Sequence, residues 1–559
     1  MNPSPDRRRL AVPETLILAI SVALVWFLAW AHPLYPPDEG RFGSAAATMV
    51  DTGNWLVPEF RGRAHLTKPP LTYWLQAIGV HVFGRTELAV RWPALLATSL
   101  AQCCLFWFAR RTLGTRPALV AVAVAAVMPS VLIVGRLANT DAMLACAWLI
   151  ALASGFLMIE RRLAAMPAFV LFWTAMAAGF LTKGAAGFGP LIVLAAWCVL
   201  GRRARDLARL HAGWGLPLAL VPLGVWIAAV TTRHPDIGQV WWEQTIGRVT
   251  GTTDLSQEPW WFYVPVFLGG MYPATVMLVL PVFNLGFRDA WRAVCGGDLR
   301  ALLLVAVILP FLGFSLSRGK LPTYLLPLAA PTAMLVAITL KRWLRGEYDE
   351  VADRARTTFV PPDVRRTLAI VAVLVFVAQL GAAIYAGSAA PELWALMLPL
   401  AIAPLGCIVL WRLWNDRQQR ERGLAIAWVG LVLSWTIIFG IETRYTTMMG
   451  SSTLLSSLRT HFGVDQPTIV TVSFHDPTIA FYNGGQPTRD IGSLNELRGL
   501  RDVKLPAIVL MQQAEMTELL DGDHGVAGHL EPFGTWTKWF AVRVKIFVLN
   551  VPPSELPHP

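Results

Sequence analysis

Residues 140–159 read TDAMLACAWLIALASGFLMI, with Asp141 the only charge and that at the very start. As a helix, about 20 such residues match the ~30 Å hydrocarbon core of a bilayer. A helix on the surface of a soluble protein would carry a polar stripe, and this run has none. Comparable runs recur at roughly 10–31, 93–109, 117–135, 165–182, 185–200, 214–231, 261–285, 300–317, 322–340, 367–387, 393–411 and 423–441. Thirteen spans predict an α-helical polytopic membrane protein. Pro and Gly within some runs are tolerated inside a helix bundle.

Composition agrees. The 559 residues are 55% hydrophobic and only 15% charged, against about 25% charged in soluble domains. Mean hydropathy is +0.51. A disordered chain, a coiled coil and a nucleic-acid binder with a spread basic surface are excluded. The net charge of +11 instead reflects topology. With a cytoplasmic N-terminus, 26 of the 47 basic residues fall on inner connections, 12 on outer ones and nine after residue 441. The bias obeys the positive-inside rule, and an odd span count puts the C-terminus outside. Arg7–Arg9 followed by the 10–31 run reads as an uncleaved first span. Cys103, Cys104, Cys146, Cys198, Cys295 and Cys407 form no CxxC, so neither a disulfide framework nor a zinc-thiolate site is expected.

Two regions follow: a membrane domain at 1–441 and a soluble α/β domain facing the periplasm at 442–559. In the latter, Thr468–Phe474, Ala507–Met511 and Trp539–Val548 read as strands; Asn495–Leu500 and Glu515–Leu520 read as short helices.

The outer face is the unusual one. Its first connection, 32–92, is long enough to be functional or separately structured. Asp38-Glu39 lies just past the first span, and Asp141 opens the fourth on the same face, where Asn139 and Thr140 compete with it as helix cap. Lys68, Lys183, Arg248, Arg318 and Lys320 abut apolar runs on that side. Each alone reads as a snorkelling cation; together they suit a phosphate at headgroup depth. Pro259–Tyr263 reads as an interfacial aromatic belt. Carboxylates beside a phosphate cradle suggest group transfer, with a lipid-linked phosphate leaving and a carboxylate orienting or deprotonating the acceptor.

The segments PPDEGRFGSAAATMVDTGNWLVPEFRGRAHLTKPPLTYW (36–74), TDAML, LTKG, PWWFYVPV and SRGKLPTYLLP occur in that order. They resemble the GT-C glycosyltransferases that use polyprenyl-phosphate sugars. The bacterial aminoarabinose transferases (ArnT) are the nearer likeness and the protein O-mannosyltransferases a more distant one. The resemblance implies the GT-C fold, a bacterial inner-membrane location and inverting transfer from undecaprenyl phosphate. The sugar implied is 4-amino-4-deoxy-L-arabinose, and the acceptor lipid A or another lipid or saccharide. Asp38 then corresponds to the catalytic acid, with Glu39 its motif neighbour and Asp141 the second acid. Arg41, Lys68, Lys183, Arg248 and Tyr324 match positions that hold the donor phosphate or line its cavity, and Lys320 lies in the same GKLPTY motif. Thr67 stands where the family has a Glu implicated in metal binding, Phe42 replaces a Tyr, and residues 243–248 lack the family's His. Cofactor use and the acceptor are therefore left open, as is a different sugar. A lipid-linked sugar flippase would place its carboxylates near mid-membrane in inverted halves. Here they lie at the outer edge. Nothing in the tail points to a partner-binding scaffold.

Overall fold

The computed structural model describes residues 12–247, 250, 258–283, 287–344, 420–473, 475–484, 488–500, 503–521, 524–537 and 543–556. The chain begins with α1 (Val12–Trp26), shorter than the 10–31 run, and then enters the long loop. That loop holds two helices, α2 (Asp38–Thr52) and α3 (Leu71–Phe83). Between them lies a two-strand hairpin of β1 (Glu59–Phe60) and β2 (Arg63–Ala64). Helix α4 (Glu87–Leu113) starts where the Thr86 hydroxyl accepts the Ala89 N–H at 3.2 Å, six residues before the expected span. Helix α5 (Thr115–Ala126) bends by 65° into α6 (Pro129–Ile133) and its following turn, so the 117–135 run is not one straight helix. Pro129 lacks the N–H that would continue the ladder.

The core is α7 (Asp141–Ile159), buried along nearly its whole length. It packs against α8 (Ala165–Lys183), which ends at Gly184 with φ +56°, a left-handed value. The next turn folds back, with Gly187 against Gly179 and Phe180. Helix α9 (Gly189–Leu200) then runs beside α7 in the same direction, Gly189 at Trp148 and Trp197 at Phe156. Helices α10 (Ala212–Thr231) and α11 (Ile237–Trp242) follow.

The run at 261–285 is not one helix. It forms α12 (Tyr263–Gly270) and α13 (Ala274–Phe283), broken at the Gly-rich turn before Pro273. After α14 (Phe287–Val294), Asp298 caps α15 (Leu299–Leu316). The GKLPTY segment enters a 3-10 stretch, Pro322–Leu328, that leads into α16 (Ala329–Leu344). Helix α17 (Arg420–Met449) runs through the 441/442 boundary. Among the described residues seven helices are long and apolar enough to cross a membrane, or eight with the bent pair. The runs at 367–387 and 393–411, and Cys407, lie outside them; the other five cysteines are free thiols.

The tail is an α/β unit: α18 (Ser451–Phe462), β3 (Thr468–Val472), α19 (Pro477–Tyr482), β4 (Arg489–Ile491), β5 (Ala507–Gln512), α20 (Met516–Asp521), α21 (His524–Ala527), β6 (Leu530–Thr537) and β7 (Arg543–Leu549). The sheet order is β4-β3-β5-β7-β6, with β3 parallel to β4 and β5 and the rest antiparallel. Alternate residues face opposite sides. Ile469, Ile508 and Ile546 meet Leu455 and Leu458 of α18, while Val470, Val509 and Phe547 pack with Leu494 and Leu497. The helix expected at 495–500 is a 3-10 turn, Leu494–Gly499.

Candidate active site

Asp38 and Glu39, adjacent in sequence, have opposite surroundings. One turn of α2 points them in different directions. Glu39 is 1% exposed and pairs with Arg91 of α4, also 1% exposed. Its Oε1 accepts Arg91 Nε at 2.9 Å and the Ala138 N–H at 2.8 Å; its Oε2 accepts Arg91 Nη2 at 2.5 Å and the Tyr35 N–H at 2.8 Å. Arg91 also donates to the carbonyls of Ala29, His32 and Pro33 at 3.0, 2.7 and 2.8 Å. Every donor and acceptor in this knot is used, as burial of a charge pair requires. Arg91 had counted only as one outer charge; its signal was a cation inside an apolar helix.

Asp38 instead opens to solvent. Among the described residues no hydrogen bond holds its carboxylate. Partial desolvation in the surrounding wall keeps its carboxyl above the ordinary range; Arg41 opposes that shift, Asp141 adds to it, and Lys183 and Lys68 oppose it. The same relations show that Asp38, Arg41, Lys68, Asp141 and Lys183 share one electrostatic neighbourhood. They arrive there from α2, the loop before α3, and the facing ends of α7 and α8.

Asp141 is buried and ion-paired to Lys183. Asn139, not Asp141, acts as the local cap, its Oδ1 accepting the Asp141 N–H at 2.9 Å. The Lys183 ammonium also lies 4.5 Å from the centre of the Tyr324 ring, a cation–π contact. Lys68 donates to the Thr67 carbonyl at 3.1 Å and to Gln244 Oε1 at 3.3 Å. Lys320 is buried, and its ammonium donates to the Glu258 carbonyl at 2.8 Å. Tyr263 of the aromatic run bridges to that segment, donating to the Leu321 carbonyl at 3.1 Å. Arg248 lies outside the described residues.

At position 67 the hydroxyl stands 3.4 Å from His65 Nε2, and Tyr73 meets His65 Nδ1 at 3.1 Å. Burial, with Arg41 and Lys68 nearby, pushes the His65 imidazole down to about 4. Among the described residues no group of three His, Cys, Asp or Glu side chains gathers to hold a metal. The side chains that meet at Thr67, those of His65 and Tyr73, bring no carboxylate in place of the family's Glu.

The tail reaches this region too. Arg61, in the β1–β2 turn, pairs with Asp490 at 2.6 Å. Residue 61 belongs to the expected membrane domain and residue 490 to the expected soluble one, so the pair joins the two.

The comparisons with known proteins agree with this architecture. The family model for dolichyl-phosphate-mannose-protein mannosyltransferases matches residues 67–227. The solved ArnT from Cupriavidus metallidurans bound to undecaprenyl phosphate superposes with a TM-score of 0.75 at 20% identity, covering 98% of this chain and 100% of that one. The archaeal oligosaccharyltransferase AglB from Archaeoglobus fulgidus gives 0.50 at 12% identity, covering 98% and 75%. The class is thereby defined: a polytopic membrane protein with the GT-C fold and a sheet-containing C-terminal region. In sequence the chain is similar to bacterial aminoarabinose transferases over part of its length. An undecaprenyl phosphate-alpha-4-amino-4-deoxy-L-arabinose arabinosyl transferase from Edwardsiella ictaluri is 34% identical over 340 residues, 58% of this chain and 60% of that protein. Its namesake from Aeromonas hydrophila is 34% identical over 318 residues, 55% and 56% of the two chains. The chain spans about three fifths of the length of the curated relatives it matches.

Proposed function

We propose that this chain is an integral-membrane glycosyltransferase of the bacterial inner membrane, with its site and C-terminal domain facing the periplasm. It moves a sugar, 4-amino-4-deoxy-L-arabinose, from undecaprenyl phosphate to an acceptor such as lipid A, with inversion. The observation that carries this reading is the convergence of Asp38, Arg41, Lys68 and the Asp141–Lys183–Tyr324 cluster at one end of an apolar bundle.

In this reading an acceptor oxygen attacks the anomeric carbon, and the bond from that carbon to the phosphate oxygen breaks. The electron pair leaves with the polyprenyl monophosphate. Lys68, Lys183, Arg41 and Arg248 would stabilise that departing charge. Asp141 holds the Lys183 ammonium, and Tyr324 backs it with its ring. Asp38 stands free to face the reacting centre. With a hydroxyl acceptor it takes the proton as general base. With a lipid A phosphate the nucleophile is already anionic, and Asp38 orients the sugar, for which an amino group is a natural partner. Lys320 braces the wall beside Tyr324 rather than the phosphate. Glu39 holds α2 and takes no part in the chemistry.

The test is transfer from a labelled polyprenyl-phosphate sugar in proteoliposomes, read as a covalent product. Asp38→Asn should abolish transfer while the protein stays folded. Undiminished turnover in that variant would overturn the assignment, and movement of the labelled lipid without a covalent product would point to a flippase.

A further inference from the structure

One short helix of the tail touches the chain on both sides of Asp38. At the end of α19 the Tyr482 hydroxyl accepts the Leu34 N–H at 2.8 Å and donates to Glu87 at 2.8 Å. Leu34 lies four residues before Asp38. Two residues after Asp38, Gly40 sits beneath the start of α19. A Cβ there would stand 2.6 Å from the Thr478 nitrogen and 2.8 Å from the Pro477 carbonyl carbon, so only glycine permits this approach. One turn further along α2, Ser44 donates to the Pro477 carbonyl at 3.2 Å. Phe481 is fully buried with Leu34, Ala47, Val80 and Val90.

Helix α19 is itself held firmly. Asp476 accepts from the Thr478 N–H at 2.9 Å and its hydroxyl at 2.6 Å. Arg459 of α18 donates to the Tyr482 carbonyl at 2.6 Å, and Asn483 donates to the Pro467 carbonyl at 2.9 Å. The tail thus meets α2 with a rigid edge. Asp38 has no hydrogen bond of its own among the described residues, so its position follows from where the backbone of 34–44 is fixed. Glu39 and Arg91 fix one side of that segment; α19 fixes the other.

We propose that the C-terminal domain is a positioning element of the transfer reaction, with α19 setting where the Asp38 carboxylate stands and Tyr482, Gly40 and Ser44 acting as positioning residues. This rests on Asp38 being the reacting carboxylate. A displacement of about 1 Å in a reacting group costs up to about 100-fold in rate.

The full-length protein is assayed with labelled polyprenyl-phosphate sugar across pH, beside its thermal midpoint. Tyr482→Phe should lower kcat by about tenfold and leave the donor KM within about twofold. It should also shift the acid limb of kcat downward, because a displaced Asp38 leaves the wall that partly desolvates it. A purely structural role would lower the midpoint and the active fraction without moving the pH limb. Ser44→Ala, which removes a single contact, should act in the same direction by about threefold; it decides the matter should Tyr482→Phe fold poorly. Unchanged kcat and pH profile in folded Tyr482→Phe or Ser44→Ala, with Asp38→Asn inactive, overturns the positioning role and leaves the transferase reading intact. Full activity in Asp38→Asn would remove the reading on which it rests.

Discussion

Replacing Glu39 by Gln changes one oxygen for an NH2 group in a site with no slack. Each carboxylate oxygen of Glu39 receives one guanidinium N–H and one backbone N–H. Whichever way the amide turns, its NH2 faces two donors, and the negative charge opposing Arg91 is lost. Arg91, 1% exposed, keeps its three carbonyl partners but becomes a buried cation without a counter-ion. Breaking one side of a buried pair costs about 3–5 kcal/mol. Even about 3 kcal/mol is more than a hundredfold in the folded-to-unfolded ratio. Detergent-purified Glu39→Gln should therefore show a clearly lowered midpoint in heating followed by size exclusion, and a lower yield from membranes. Asp38→Asn, one residue away, should show neither. A Glu39→Gln protein with the parental midpoint would refute the assignment of this pair as the loop's anchor, as would one inactive but fully stable.

Three further outcomes follow from the same geometry. The folded state binds the Asp38 proton more tightly than a free carboxyl does. Its contribution to stability is therefore present at low pH and lost as pH rises through the folded value. Asp38→Asn should then equal or exceed the parent in midpoint at pH 7, and the parent's activity should rise on a limb above the usual Asp range near pH ~4. His65, pushed down to about 4 in the fold from 6.5, works the other way. It favours the fold above pH 6.5 and withdraws that support as pH falls toward 4, so His65→Gln should flatten the midpoint between pH 7 and 4.5. Lys183→Met should destabilise by leaving Asp141 buried and unpaired, and adding Asp141→Asn should restore part of the loss. A double-mutant cycle on thermal midpoints should show coupling of at least about 1 kcal/mol, and additive effects would refute the pair.

The bundle was legible because a span is a local property: an uninterrupted apolar run announces itself wherever it packs. The exceptions mark where local reading fails. The 261–285 run passes the same test, yet Gly269, Gly270 and Pro273 divide it. Helix α2, GSAAATMV at its centre, is neither apolar enough to look like a span nor polar enough to look like a surface helix. Its burial is set by partners far off in the chain: Gly40 and Ser44 lie against the start of α19. Strand β6 is not announced by its sequence, because Pro532 and Gly534 interrupt the strand pattern at a register shift. At the site, residue type and side of the membrane brought Asp38, Lys68, Asp141 and Lys183 together, and the family resemblance added Arg41. Residue type alone could not separate Asp38 from Glu39, which the resemblance did; the physical difference lies in Arg91 and Ala138, which make Glu39 an anchor.

The bond between Leu34 and Tyr482 joins residues 448 apart. At a synthesis rate of about 5–20 residues per second, Tyr482 leaves the ribosome roughly 20–90 s after Leu34. Most of the apolar helices will have entered the bilayer by then. On the positioning proposed above, the acid-bearing segment lacks one of its two supports throughout that interval. A nascent or C-terminally clipped chain would then sit in the membrane with that segment held on one side only.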